Sequence, residues 1–84
     1  MKCTILHESK GRIRLHINNK KRMTIKEADV LSYYLNGIEN VHQATVYERT
    51  CDIVVLYNDD RNAVLAALKN YNGQDEELIK QVPE

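Results

Sequence analysis

The chain contains few cysteines, and their placement excludes two common classes of small protein. Cys3 and Cys51 are the only two among 84 residues, and they lie far apart, without Cys-x-x-Cys spacing. A secreted scaffold of this size normally carries more cysteines, and a structural zinc site needs ligands at a recognisable spacing. The sequence therefore predicts neither a disulfide scaffold nor a zinc finger, and it favours a reducing, cytoplasmic location.

Proline, glycine and long apolar runs are also scarce. One proline and three glycines, with 43% apolar and 29% charged residues, are typical of a compact fold rather than of a disordered tail. No run approaches the roughly 20 apolar residues that cross a bilayer, and no signal peptide opens the chain. We therefore expect one soluble domain over residues 1–84.

Sequence motifs of catalysis are missing as well. The chain has no glycine-rich phosphate loop, no His-Glu-x-x-His segment and no ordered trio of nucleophile, base and orienting group. The paired acids Asp59-Asp60 and Glu76-Glu77 are explained by helix capping and solvation. We expect a protein that is not an enzyme and that uses no cofactor.

Alternation of apolar and polar residues predicts the strands of the first part of the chain. Residues 3–8 and 12–17 both alternate, and Ser9-Lys10-Gly11 joins them either as a bend or bulge in one long strand or as the turn of a short hairpin. Because side chains alternate across a strand, the residues from 12 to 17 divide into two faces. The inward set is Ile13, Leu15 and Ile17, and the outward set is Arg12, Arg14 and His16.

A helix follows the polar loop of residues 18–23. Thr24 and Glu27 have the spacing of a capping box, and the apolar residues after them recur every three or four positions. This pattern predicts a helix over about residues 25–36, with Gly37 as its left-handed cap.

The second half of the chain predicts a hairpin, a helix and a weak final segment. Residues 41–57 contain an alternating stretch and a β-branched stretch separated by a short polar turn, which indicates two antiparallel strands. Asp59 or Asp60 caps a second helix that ends before Gly73, and residues 74–84 form a short last strand or a tail.

The predicted element order is β-α-β-β-α-β. This order is typical of the ferredoxin-like α+β fold, a four-stranded antiparallel sheet with two helices on one face. Proteins with this fold carry metals, read RNA, sense small molecules or bind other proteins, so the fold alone does not assign a function.

The segment Gly11-Arg12-x-Arg14-Leu15, with the element order over roughly residues 4–71, resembles the heavy-metal-associated-like domains at the cytosolic N-terminus of heavy-metal-translocating P-type ATPases. The resemblance implies a regulatory or docking domain of a cation transporter. Metal-binding members use Met-x-Cys-x-x-Cys after the first strand, where two thiolates converge on Cu(I) or Zn(II). Here the loop reads NNKKRMTIKE: Met23 resembles the family's methionine, but neither cysteine position is filled. We therefore expect a variant without the usual metal site.

A metal site of another kind would have to use scattered ligands. The candidates are Cys3, His7 and His16, because His7 and His16 could approach each other if the chain folds back at residues 9–11. No pair among them has a recognised ligand spacing, so we favour their interpretation as ordinary strand residues.

The basic residues of the N-terminal quarter predict a partner-binding surface. Residues 1–22 contain seven Lys or Arg and one Glu, whereas the rest contains five Lys or Arg and eleven Asp or Glu. We expect contact with other domains of a membrane transporter or with an acidic protein surface. Anionic lipid headgroups and a merely solvated face are the alternatives. The residues predicted to bind are Arg12, Arg14, Lys20, Lys21 and Arg22.

Nucleic acid is the runner-up partner of the same basic residues, to which Lys10 would add. Sheets of this topology can bind single-stranded RNA when aromatic side chains on the central strands stack on bases, and here only Tyr57 is a candidate. Pairing of two chains through an edge strand is a further open alternative.

Overall fold

The computed structural model describes residues 1–18 and 20–83 of the chain. Within them lie four strands and three helices, none of which is long and apolar enough to cross a membrane. The strands are β1 (Cys3–Ser9), β2 (Arg12–Ile17), β3 (Val41–Tyr47) and β4 (Asp52–Tyr57), and the helices are α1 (Ile25–Asn36), α2 (Arg61–Lys69) and α3 (Glu76–Gln81).

The strands form one antiparallel sheet in the order β1-β2-β4-β3. The buried residues of α1 and α2 join those of one sheet face in a single core, so the helices cover that face. The largest fully buried side chains are Ile13, Leu15, Leu31, Leu35, Ile53, Val55 and Val64. The ferredoxin-like α+β fold class is thereby confirmed.

The predicted C-terminal strand is wrong, and the element order differs from βαββαβ at both ends. Residues 76–81 form α3, which Asp75 caps by accepting a hydrogen bond from the backbone N–H of Glu77. Two acids in its first turn and Lys80 in its last turn suit the helix dipole. β1 takes the position beside β2 that was predicted for the C-terminal strand. A tight turn joins β1 to β2, whereas the C-terminal segment would need a much longer connection to reach that position.

The turn between β1 and β2 makes the hairpin the correct alternative for the start of the chain. Gly11 has φ +78°, and its carbonyl oxygen accepts a hydrogen bond of 3.0 Å from the backbone N–H of Tyr57. The register of β1 also shifts between Ile5 and His7, so a bulge lies at Leu6. The hairpin is therefore formed at residues 9–11, and the bulge lies at Leu6 instead of at those residues.

The helix predictions hold at their N-termini and fail in part at their C-termini. α1 has the predicted bounds, and both hydrogen bonds of the Thr24–Glu27 capping box are formed. Gly37 is right-handed at φ −83°, contrary to the expected left-handed cap, because the chain continues in a further helical turn. Asp60 caps α2, which ends at Lys69, well before Gly73.

Candidate functional site

Among the residues that the structure describes, no helix covers the second face of the sheet, which we call the open face. Residues paired across neighbouring strands point to the same side of a sheet, so the register assigns its members. They form three rows across the four strands. The rows are Ser9-Arg12-Leu56-Gln43, His7-Arg14-Val54-Thr45 and Thr4-His16-Asp52-Tyr47.

Asp52 is the central polar group of the open face. Its Oδ2 accepts a 3.0 Å hydrogen bond from Nη2 of Arg14, and its Oδ1 lies 2.8 Å from Nδ1 of His16. Only 7% of the residue is exposed, so both carboxylate oxygens are engaged beneath the surface. An ionised carboxylate can only accept, so Nδ1 of His16 carries the proton in this contact. Asp52 therefore fixes both basic side chains.

The same contacts keep Asp52 ionised. The hydrogen bond with His16 is the largest cause that lowers its pKa, and bonds with Arg14 and Thr50 act in the same direction. Burial opposes them by penalising the charged form, but it does not prevail. At neutral pH the carboxylate therefore offsets the charge of Arg14 while holding its guanidinium in place.

Tyr47 is the aromatic residue of the open face, and the sequence interpretation did not include it. Its side is set by alternation from the buried Ala44, and the guanidinium carbon of Arg14 lies 6.0 Å from the centroid of its ring. Asp52 was also missed, although an acid at the start of an apolar strand could have indicated a buried ion pair.

Tyr57, proposed from the sequence as a stacking residue, lies on the other face. It is paired with Val41 and only 8% exposed, within the helix-covered core. Because Ile53, Val55 and Tyr57 alternate with the open-face residues of β4, Tyr57 cannot stack on a base there. The interpretation of Tyr57 as a nucleic-acid contact is wrong.

The structure does not gather the five predicted partner-binding residues into one patch. Arg12 and Arg14 share the open face, but Lys20 forms an ion pair with Glu27 at the start of α1. Lys21 and Arg22 are exposed in the loop beyond the opposite end of β2 from Arg12. That strand spans about 17 Å at the usual rise per residue, so the loop forms a separate basic region.

The candidate metal ligands are only partly brought together, because the hairpin places His7 and His16 in adjacent rows of the open face but leaves Cys3 out. Cys3 pairs with Ile17 toward the core, whereas His7 and His16 lie on the open face, because the bulge at Leu6 reverses the alternation of β1. Burial raises the pKa of the Cys3 thiol and so disfavours the thiolate that ligates metals. Over residues 1–18 and 20–83, no group of three or more His, Cys, Asp or Glu side chains could hold a metal ion.

The acidic residues are distributed unevenly between the two layers of the molecule. In the part of the chain that the structure describes, Asp52 is the single acid of the open face. Most other acids lie in the helices or at their caps, namely Glu27, Asp29, Asp60, Asp75, Glu76 and Glu77. The open face therefore has two arginines against one acid, whereas the helices carry both signs, with Lys26, Arg61, Lys69 and Lys80 beside these acids.

No family model matches the chain, and neither a curated protein nor a solved structure matches it. The functional argument therefore depends on the open face itself, which offers guanidinium groups, imidazoles, hydroxyls and one exposed ring.

Proposed function

We propose that the chain is a non-catalytic docking domain whose open face binds an acidic surface on a protein partner. The observation that carries this proposal is the uncovered sheet face on which two arginines are opposed by a single, internally bonded carboxylate. Sheets in compact folds usually bury at least one face, and a second face this rich in donors is suited to binding.

Arg12 is the residue best placed for direct contact. It is exposed, and no ion pair links it to the residues that the structure describes. Arg14 adds a guanidinium whose side chain is 42% exposed despite its bond to Asp52. Arginine presents five N–H donors, so the bond to Asp52 leaves several of them for a partner.

We also propose that this domain lies beside the other cytosolic domains of a heavy-metal ATPase. The support is the Gly11-Arg12-x-Arg14-Leu15 segment, which combines the hairpin turn, two open-face arginines and a core leucine in five residues. A cytosolic docking domain of a cation transporter would present this face to acidic surfaces of its neighbouring domains.

Nucleic acid is the second candidate, because Tyr47 places an aromatic ring beside Arg14 on the open face. Two features favour a protein partner over it. Tyr47 is on the edge strand β3, whereas single-stranded RNA is usually stacked on central strands, and Val54 and Leu56 make the neighbouring surface aliphatic.

The test is a titration of the ¹⁵N-labelled domain at low salt with octaglutamate. Vesicles of phosphatidylcholine and phosphatidylserine and a single-stranded oligouridine serve as the competing probes. We expect octaglutamate to shift the backbone amides of β2 and β4, and Arg12→Glu to abolish those shifts. Lys26→Glu, an exposed charge reversal on α1, is the matched control and should bind like the wild type.

Binding of octaglutamate that persists unchanged in Arg12→Glu would overturn the assignment to the open face. Selective binding of oligouridine that is lost in Tyr47→Leu would support the nucleic-acid alternative instead. Binding to anionic vesicles alone would replace the protein partner with a membrane surface.

A further inference from the structure

The two arginines of the open face are separated by one residue on β2. Alternate residues of a strand point to the same side and lie about 6.6–6.8 Å apart along it. The backbone positions of Arg12 and Arg14 therefore have the spacing of alternate residues in any extended chain, and both side chains lie on the open face.

The positions of the two arginines are held by the surrounding rows. Arg14 is fixed through Asp52 and lies over the ring of Tyr47, so little side-chain entropy is lost when it binds. Arg12 is paired across the sheet with Leu56, and Arg14 with Val54. These half-buried aliphatic side chains form an apolar surface beside the two arginines. The aliphatic carbons of a Glu or Thr side chain could pack on it.

We infer that the open face binds an extended segment of a protein partner that carries carboxylates at alternate positions, one on Arg12 and the next on Arg14. This inference rests on the proposed docking function and specifies the partner's chemistry. Charge complementarity supports it, because the row of Arg12 and the row of Arg14 contain no acid.

The segment would run along β2 above the open face, and it would not add a strand to the edge of the sheet. Both arginines are on β2, which is hydrogen-bonded on both sides by β1 and β4. Side-chain spacing, not backbone pairing, therefore determines recognition, and this separates the inference from strand addition at β1 or β3.

Two peptides of equal composition test the spacing. One consists of four Glu-Thr repeats, and the other of two Glu-Glu-Thr-Thr repeats, in which no two Glu residues occupy alternate positions; both have blocked termini. We expect the alternating peptide to bind roughly three- to fivefold more tightly at low salt, the value of one additional exposed ion pair. Arg12→Gln should remove this preference, whereas Lys26→Gln on α1 should retain it.

The outcomes distinguish this inference from the function on which it rests. If both peptides bind with equal affinity and Arg12→Glu binds neither, the inferred spacing of carboxylates would be overturned, but the docking function would remain supported. A preference that survives in Arg12→Gln, with amide shifts confined to β1 or β3, would show edge pairing and overturn the inference. Failure of both peptides and of octaglutamate would overturn the inference and the docking function together.

Discussion

The two faces of β2 have opposite properties, although alternate residues of one short segment form them. Ile13 and Leu15 are at most 1% exposed and pack in the core beneath the helices. Arg12 and Arg14, their direct neighbours, face solvent on the open face. The inner residues stabilise the fold by removing apolar surface from water, whereas the outer ones are available for binding.

Asp52 shows where this division is incomplete. It belongs to the open face by register, yet it is as buried as many core residues. Its two bonds to Arg14 and His16 make a small polar layer beneath the binding surface. The open face thus has a structural part, centred on Asp52, and an accessible part, centred on Arg12.

Truncation of the inner face should have the largest effect. Leu15→Ala removes a fully buried side chain from the centre of the sheet and leaves a cavity, so we expect the free energy of unfolding to fall by about 2–5 kcal/mol. Denaturant unfolding monitored by circular dichroism measures it. His7→Ala, on the exposed edge strand, is the control and should change stability little, and a loss below 1 kcal/mol for Leu15→Ala would contradict the described core.

Removal of the carboxylate beneath the open face should have the next largest effect. Asp52→Ala breaks the bonds to Arg14 and His16, and we expect a loss of about 1–3 kcal/mol at neutral pH, nearer the lower value because both partners are partly exposed. Asp29→Ala, an exposed acid on α1, is the matched control. Equal stability of the two variants would contradict the role of Asp52.

The pH dependence of this loss has a defined sign. The fold lowers the pKa of Asp52, chiefly through His16, so its ionised form contributes stability above the ordinary aspartate pKa of about 4. That contribution is lost as the pH falls through and below this value. The stability difference between wild type and Asp52→Ala should therefore shrink on acidification below about pH 4, and a difference that grows instead would reverse our assignment.

The turn that brings β1 beside β2 should tolerate substitution poorly. In Gly11→Ala a side chain must adopt φ +78°, and its Cβ would lie 3.3 Å from the carbonyl oxygen of Tyr57, so we expect a loss of about 1–2 kcal/mol. Gly37→Ala is the matched control, because Gly37 is right-handed with ordinary contacts and should lose nothing. Thermal unfolding of both variants compares them, and equal melting temperatures would contradict the strained turn.

Truncation of the outer face should have the smallest effect on stability. Arg12→Ala removes an exposed side chain, and we expect the free energy of unfolding to change by less than about 0.5 kcal/mol. Its affinity for octaglutamate should nevertheless fall severalfold at low salt, as isothermal titration calorimetry would show. Lys26→Ala is the control for loss of one positive charge, and an equal decrease in affinity there would indicate a non-specific charge effect.

The parts of the fold that could be predicted are those governed by local patterns. The inward and outward sets of β2 follow from alternation, and α1 follows from its capping box and apolar spacing. The C-terminal segment was misassigned because Leu78, Ile79 and Val82 fit a short strand nearly as well as a short helix. β1 and the predicted last strand compete for one edge of the sheet, and no local pattern decides between them.

The binding surface could be predicted only in part. Arg12 and Arg14 were identified from strand alternation, whereas Tyr47 and Asp52 became part of the site only through the pairing of β3 and β4 with each other and with β2. Tyr57 was considered as a stacking candidate because its face could not be assigned before the register of β4 was known. A shift of one residue in register moves every side chain to the other face.

The sequence by itself determined the α+β composition, the boundaries of α1 and the opposite characters of the two faces of β2, since these depend on spacings of two, three and four residues within one segment. The tertiary structure alone decided that β1 completes the sheet, that the bulge at Leu6 separates Cys3 from His7, and that Asp52 joins Arg14 and His16. These features depend on contacts between residues distant in the chain, where strand pairing and burial determine which groups meet.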